Sequence, residues 1–118
     1  MHYMKSSSTG ERIQRSIILV SSTSGYFGGT GVSAYIASKH GVIGLLRGSQ
    51  VAARRHGIAV KGIAPFFTPT RITQGLAARW KESGMDSNTP ESVGNIIVQS
   101  SLDDSQSGSC ILVCESFA

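Results

Sequence analysis

Ser22, Tyr35 and Lys39 are the residues of this sequence whose types and spacing could do chemistry together. In Tyr35-Ile36-Ala37-Ser38-Lys39 a phenol and an ammonium stand at i and i+4, which places them one above the other on one face of a helix. A free phenol titrates near pH 10 (about), and a cation one turn away favours its ionised form. Such a pair could remove a proton from an alcohol oxygen or return one to it. Ser22 follows the apolar run Ile17-Ile18-Leu19-Val20, and its hydroxyl could hold the same oxygen as charge develops there. Proton transfer at an alcohol or ketone is the chemistry these three groups suit.

Positioning them requires a strand, a loop and a helix in that order. The β-branched and aliphatic run ending at Val20 has the pattern of a parallel strand covered on both faces, and Ser21 and Ser22 mark its C-terminal end, where open α/β sheets bind ligands. Gly25, Gly28, Gly29 and Gly31 make the next stretch a loop. From about Ser33 to Arg55, Tyr35, Val42, Leu45, Leu46, Val51 and Ala52 recur at helical spacing. Gly41, Gly44 and Gly48 weaken that helix and suggest close approach of another element. Arg54, Arg55 and His56 suit its negative end, and Gly57 its cap.

Downstream, residues 58–63 read as a second strand that Pro65 stops. Residues 70–82 carry Ile72, Leu76 and Trp80 at i, i+4 and i+8, an amphipathic helix ending near Gly84. Thr89-Pro90-Glu91 is a helix start, with threonine as cap and proline in the first turn. A last strand covers Ile111, Leu112 and Val113. Residues 1–5 read as the tail of a helix and residues 6–12 as an exposed loop. The order strand, helix, strand, helix, helix, strand gives an α/β fold with parallel strands and right-handed crossovers. Three strands make a thin sheet that needs neighbours.

The spacing of Ser22, Tyr35 and Lys39, together with residues 17–24, 35–46 and 58–70, resembles the short-chain dehydrogenase/reductase family. Ile63-Ala64-Pro65 followed by Thr68 and Thr70 is similar to the family's nicotinamide-side loop. The resemblance implies the C-terminal portion of a Rossmann-like doubly wound parallel sheet, with residues 1–118 a partial domain whose N-terminal dinucleotide-binding half is absent. It implies catalysis by Ser22, Tyr35 and Lys39, with Lys39 also contacting the nicotinamide ribose, and cofactor contacts from Tyr35, Lys39, Pro65, Thr68 and Thr70. The cofactor would be NAD or NADP, and the reaction hydride exchange with a secondary alcohol or ketone. The family's catalytic helix packs against its counterpart in a second subunit, which implies a homo-oligomer through the 33–55 helix. The wording of residues 22–27 and 35–46 is most similar to the branch holding hydroxyprostaglandin and hydroxyaverantin dehydrogenases.

The sequence also departs from the family. Phe66 stands where a glycine usually follows the proline, and the sequence shows no glycine-rich strand-to-helix turn, no acidic ribose-binding residue after it and no Asn-Ala-Gly strand end. A rival expectation is therefore a truncated, inactive fragment or pseudoenzyme that acts only through helix-mediated association. Phe66, Phe67, Tyr26, Phe27 and Trp80 fall in segments that flank the site; lining a pocket, they would select a small lipophilic or aromatic alcohol or ketone. His40 lies about 100° round the helix from Lys39 and reads as structural.

Composition narrows the remaining classes. At 118 residues the chain allows one domain with a small core, and 40% hydrophobic with 15% charged residues suits a globular protein. No run approaches the roughly 20 apolar residues of a membrane span, and the N-terminus lacks a secretory stretch, so a cytoplasmic protein without membrane contact is expected. The net charge of +4 comes without aromatic residues interleaved among the basic ones, which argues against nucleic-acid binding. Cys110 and Cys114 would lie about 13 Å apart on a strand, beyond disulfide reach, and are expected reduced and buried, with no metal role.

Overall fold

The computed structural model describes residues 15–28, 31–103, 105 and 107–114. The expected N-terminal helix tail and loop lie outside them. Strands β1 (Arg15–Val20), β2 (Ile58–Pro65) and β3 (Cys110–Val113) pair in the order β1-β2-β3, parallel throughout. Helices α1 (Ser33–Gly48) and α2 (Gln50–Arg55) join β1 to β2, and α3 (Gln74–Glu82) and α4 (Pro90–Leu102) join β2 to β3. This is the parallel α/β arrangement that the order of apolar runs implies, and it is Rossmann-like, as the family resemblance implies.

Each face of the sheet carries its own core because successive strand residues point to opposite sides. Ile17, Leu19, Ile58, Val60 and Cys110 pack with Leu46 of α1 and Ala53 of α2. Ile18, Ile63, Ile111 and Val113 pack on the other face with Val93, Ile96 and Ile97 of α4. Both faces of β1 are covered, as a continuous apolar run requires. Leu46, Val60 and Ile63 are fully buried, each stabilising the fold by about 1.5–3 kcal/mol. Gly62 lets α1 approach: a Cβ there would lie 2.8 Å from the Cys110 Sγ and 2.9 Å from a Leu46 methyl.

Several local expectations meet their counterparts. Thr89 caps α4 by accepting a hydrogen bond from the Ser92 N–H at 3.1 Å, with Pro90 in the first turn. Gly57, at φ +65°, ends the segment after Arg55 in the left-handed conformation that favours glycine.

Other expectations are corrected. The 33–55 helix divides at Ser49, where the Ser49 hydroxyl and the Gln50 amide both donate to the Leu46 carbonyl, at 3.2 and 2.8 Å. The 70–82 helix is likewise two pieces: a 3-10 turn at Arg71–Thr73 precedes α3. Its apolar stripe is not buried among the described residues, with Ile72 95% and Leu76 57% exposed; Trp80 alone of the three packs inward. Gly41, Gly44 and Gly48 face open space, so no described element makes the close approach they suggest. Cys110 and Cys114 are free thiols as expected, but Cys110 is half-buried and Cys114 exposed, because β3 ends at Val113.

Lys61 is the exception to the apolar pattern of β2. It is only 2% exposed, and its ammonium donates to the carbonyl of Ser100 at 2.8 Å and to that of Asp103. A charge can be buried there because the C-terminus of α4 presents carbonyls without helical partners.

Candidate active site

The three strands run parallel, so their C-terminal ends share one edge, and the residues that follow β1 and β2 emerge beside each other. The pairing of Val20 with Ile63 continues through the Ser21 N–H, which donates to the Ile63 carbonyl at 2.7 Å. Ser22 sits on this edge and caps a 3-10 turn (Thr23–Gly25), its Oγ accepting from the Ser24 N–H at 3.2 Å. Tyr35 lies in the first turn of α1 and is 44% exposed. Lys39, one turn on, donates from Nζ to the Val20 carbonyl at 3.4 Å and lies 5.6 Å from the centroid of the Tyr35 ring. Phenol and ammonium therefore come together at the end of the strand that leads into Ser22.

Ser21, which the sequence marks only as half of a serine doublet, fastens this arrangement. It is buried, and its hydroxyl donates to the Lys39 carbonyl at 3.0 Å. Gly25 closes over the same spot: a Cβ there would meet the Ser21 Oγ at 2.5 Å, the Lys39 carbonyl at 2.8 Å and the Ile43 side chain at 3.1 Å. Strand end, turn and helix are thus locked together within van der Waals contact, and the side chains of Ser22 and Lys39 project from a fixed base. His40 turns away from this base and contacts the Ile36 carbonyl through Nδ1 at 3.0 Å.

Pro65 ends β2 on the same edge, and residues 66–70 form the loop beyond it. Thr68 donates from Oγ1 to the Phe66 carbonyl at 3.0 Å. Thr70 engages in a capping box with Thr73, whose Oγ1 accepts from the Thr70 N–H at 2.7 Å and lies 3.1 Å from the Thr68 carbonyl. Both threonine hydroxyls expected to face a cofactor thus take part in shaping the loop. Nothing in the sequence singles out Thr73 or Asn88. Asn88 is 1% exposed; its side-chain amide donates to the Val113 carbonyl at 2.8 Å and its N–H to the Phe67 carbonyl at 2.8 Å, tying the loop to β3. A single buried amide inside a polar stretch leaves no periodic signal.

The aromatic residues divide into two groups. Phe67 stacks on Trp80 with centroids 4.6 Å apart, Phe66 meets the same indole edge-on at 5.3 Å, and the indole N–H donates to the Asp86 carbonyl at 2.9 Å. Tyr26 belongs elsewhere: burial and hydrogen bonding with the Cys110 thiol push its phenol above the usual value, partly offset by Arg47. Phe27 is 63% exposed.

A parallel α/β sheet with polar groups gathered at its C-terminal edge defines a class of ligand-binding and redox domains. Residues 1–81 match the family described as short chain dehydrogenase, and the chain belongs to that family. It is 35% identical over 71 residues to the sex determination protein tasselseed-2 of Zea mays, covering 60% of this chain and 20% of that protein. It is 32% identical over 96 residues to a 3-oxoacyl acyl-carrier-protein reductase of Thermotoga maritima, covering 76% of this chain and 39% of that one. Among solved structures, the 3-oxoacyl acyl-carrier-protein reductase of Brucella melitensis, determined with NAD, superposes with a TM-score of 0.79 at 24% identity, over 90% of this chain and 46% of that one. The last of these likenesses shows the fold. The chain spans between a fifth and two fifths of the length of these curated relatives. No helix among the described residues is long and apolar enough to cross a membrane.

Proposed function

We propose that this chain carries the proton-transfer site of a nicotinamide-dependent oxidoreductase acting on a secondary alcohol or ketone. The observation that carries the reading is the position of the Lys39 ammonium, 5.6 Å from the Tyr35 ring and 3.4 Å from the Val20 carbonyl at the strand end preceding Ser22. In this reading Tyr35 exchanges the proton with the substrate oxygen, Lys39 supplies the positive charge beside the phenol, and Ser22 donates a hydrogen bond to the same oxygen. An ammonium has three donors, and the bond to Val20 is the one Lys39 makes among the described residues, which leaves it able to hold ribose hydroxyls. Pro65, Thr68 and Thr70 would flank the nicotinamide. That ring, NAD or NADP, supplies hydride chemistry when bound.

The chain's share of its relatives' length supports reading it as a partial domain of this family. Taken alone, the chain should bind nicotinamide cofactor weakly; a micromolar Kd by calorimetry would refute this. The relatives named above are a plant and a bacterial protein, and they lend no special support to the branch of hydroxyprostaglandin and hydroxyaverantin dehydrogenases. A cytoplasmic setting accords with the reading. The decisive measurement is oxidation of secondary alcohols followed at the nicotinamide absorbance, in a preparation that holds cofactor. Tyr35→Phe should lower the rate by about 10²–10⁴-fold while leaving the fold intact. Activity equal to that of the unchanged chain would remove Tyr35 from the mechanism.

A second reading, association without catalysis, is favoured by the outer side of α1 and α2, where Leu45 and Val51 are each 58% exposed and Gly41, Gly44 and Gly48 leave room for a close neighbour. It predicts a homo-oligomer by sedimentation that Leu45→Glu converts to monomer.

A further inference from the structure

Between the loop after β2 and α3 lies an open cavity of about 410 Å³, lined by Phe67, Pro69, Ala77, Trp80, Lys81 and Met85, with Gly84 and Ser87 at its margin. Its volume falls within the range of small-molecule sites, roughly 300–1,000 Å³. The walls are apolar. Phe67 and Trp80 stabilise each other by stacking, and the indole N–H is already satisfied by Asp86, so the rings offer area rather than hydrogen bonds. Among the described side chains that line it, Lys81 alone carries a charge, and no carboxylate is present. Lys81 is exposed at the end of α3, so its flexible ammonium can reach over the cavity without being desolvated first.

We propose that this cavity binds a compact apolar carboxylate, its apolar body against Phe67, Trp80 and Met85 and its anionic group paired with Lys81. The inference rests on the reading of this end of the sheet as the substrate side, and it narrows the expected lipophilic ligand to one that also carries an acid. Charge complementarity selects this occupant over a neutral one. An apolar wall alone would accept either, whereas a charge-assisted hydrogen bond is retained only by the anion.

Trp80 is the sole tryptophan of the chain, so its fluorescence reports directly on the cavity. The probes are adamantane-1-carboxylate and the neutral 1-adamantanemethanol, which share one ring body and are transparent at the excitation wavelength. The carboxylate should change Trp80 emission saturably and bind at least about tenfold more tightly than the alcohol. Lys81→Gln should bring the carboxylate to the alcohol's affinity without changing the alcohol's own, and Ala77→Leu, which fills the cavity, should weaken both. Equal affinities in the unchanged chain, a preference that survives Lys81→Gln, binding untouched by Ala77→Leu, or no saturable change would each overturn the proposal. No cofactor enters these titrations. Turnover of secondary alcohols without carboxylate preference would leave the oxidoreductase reading standing and remove this one; carboxylate preference without turnover would do the reverse.

Discussion

Two lysines of this chain stand in opposite circumstances. Lys61, in the middle strand, is 2% exposed and spends its ammonium on two carbonyls at the end of α4. Lys39, at the C-terminal edge of the sheet, is half-buried and among the described residues makes one long bond, of 3.4 Å to the Val20 carbonyl, while facing the Tyr35 ring. The first cation is consumed by the fold, since a buried charge is tolerable only where it is hydrogen-bonded. The second is held in place by its backbone, through the Ser21 hydroxyl on the Lys39 carbonyl, and its charge remains available. The same side chain is thus consumed by the fold at one place and left with its charge open to the proposed chemistry at the other, and local packing decides which.

Substitution should separate the two most strongly at Lys61. Lys61→Ala removes a buried stem and leaves the Ser100 and Asp103 carbonyls without this donor, a loss of about 2–5 kcal/mol in unfolding free energy. Lys61→Met keeps the stem and should cost about 1–3 kcal/mol, the part owed to the donors. Lys39→Met should change stability by no more than about 0.5 kcal/mol and yet abolish any hydride-transfer activity. Urea unfolding of the three variants checks the contrast. If Lys39→Met is as damaging as Lys61→Met, the division between the two lysines collapses.

The base beneath Lys39 gives the next effect. Gly25→Ala places a methyl 2.8 Å from the Lys39 carbonyl, which is backbone and cannot rotate aside, and 2.5 Å from the Ser21 Oγ, which can. A destabilisation of about 1–3 kcal/mol is expected. Adding Ser21→Ala should relieve only the hydroxyl part of the clash, so the double variant falls short of additivity. Strict additivity by thermal melts would mean that turn and helix are not locked at this point.

The contrast also marks what the sequence makes legible. The apolar runs of β1 and β3 and the Thr89-Pro90 start of α4 are readable because each follows from local periodicity or capping. The spacing of Tyr35 and Lys39 is readable for the same reason, since one helical turn brings them together whatever surrounds them. Lys61, Ser21, Thr73 and Asn88 are not, because each acquires its role from a partner distant in the chain or from a loop carbonyl, and nothing in a single residue's type announces that partner. The exposure of Ile72 and Leu76 belongs with these: their spacing is that of a buried stripe, but burial needs a covering element, and no described element covers that side of α3.

The smallest expected effect is one of pH, and it arises at the Lys61 end. The Asp103 carboxylate accepts from the Ser105 N–H at 2.8 Å and from the Ser105 hydroxyl at 2.7 Å, and these bonds, with a lesser contribution from the Lys61 charge, hold it below the usual carboxylate value. A carboxyl depressed in the folded state binds protons less readily there than in the unfolded chain, where it titrates near pH 3.9 (about), so its contribution to stability is complete above that pH. As pH falls through the lower, folded value, protonation removes the acceptor and the contribution is lost. Melting temperature should therefore decline below about pH 4, and Asp103→Asn should flatten part of that decline while leaving the neutral-pH fold unchanged. Tyr26→Phe should leave the acid limb alone and change the pH dependence only above about pH 10, where the raised Tyr26 phenol makes ionisation favour the unfolded chain. An acid limb unchanged by Asp103→Asn would mean that the Asp103 carboxylate is not the group that carries it.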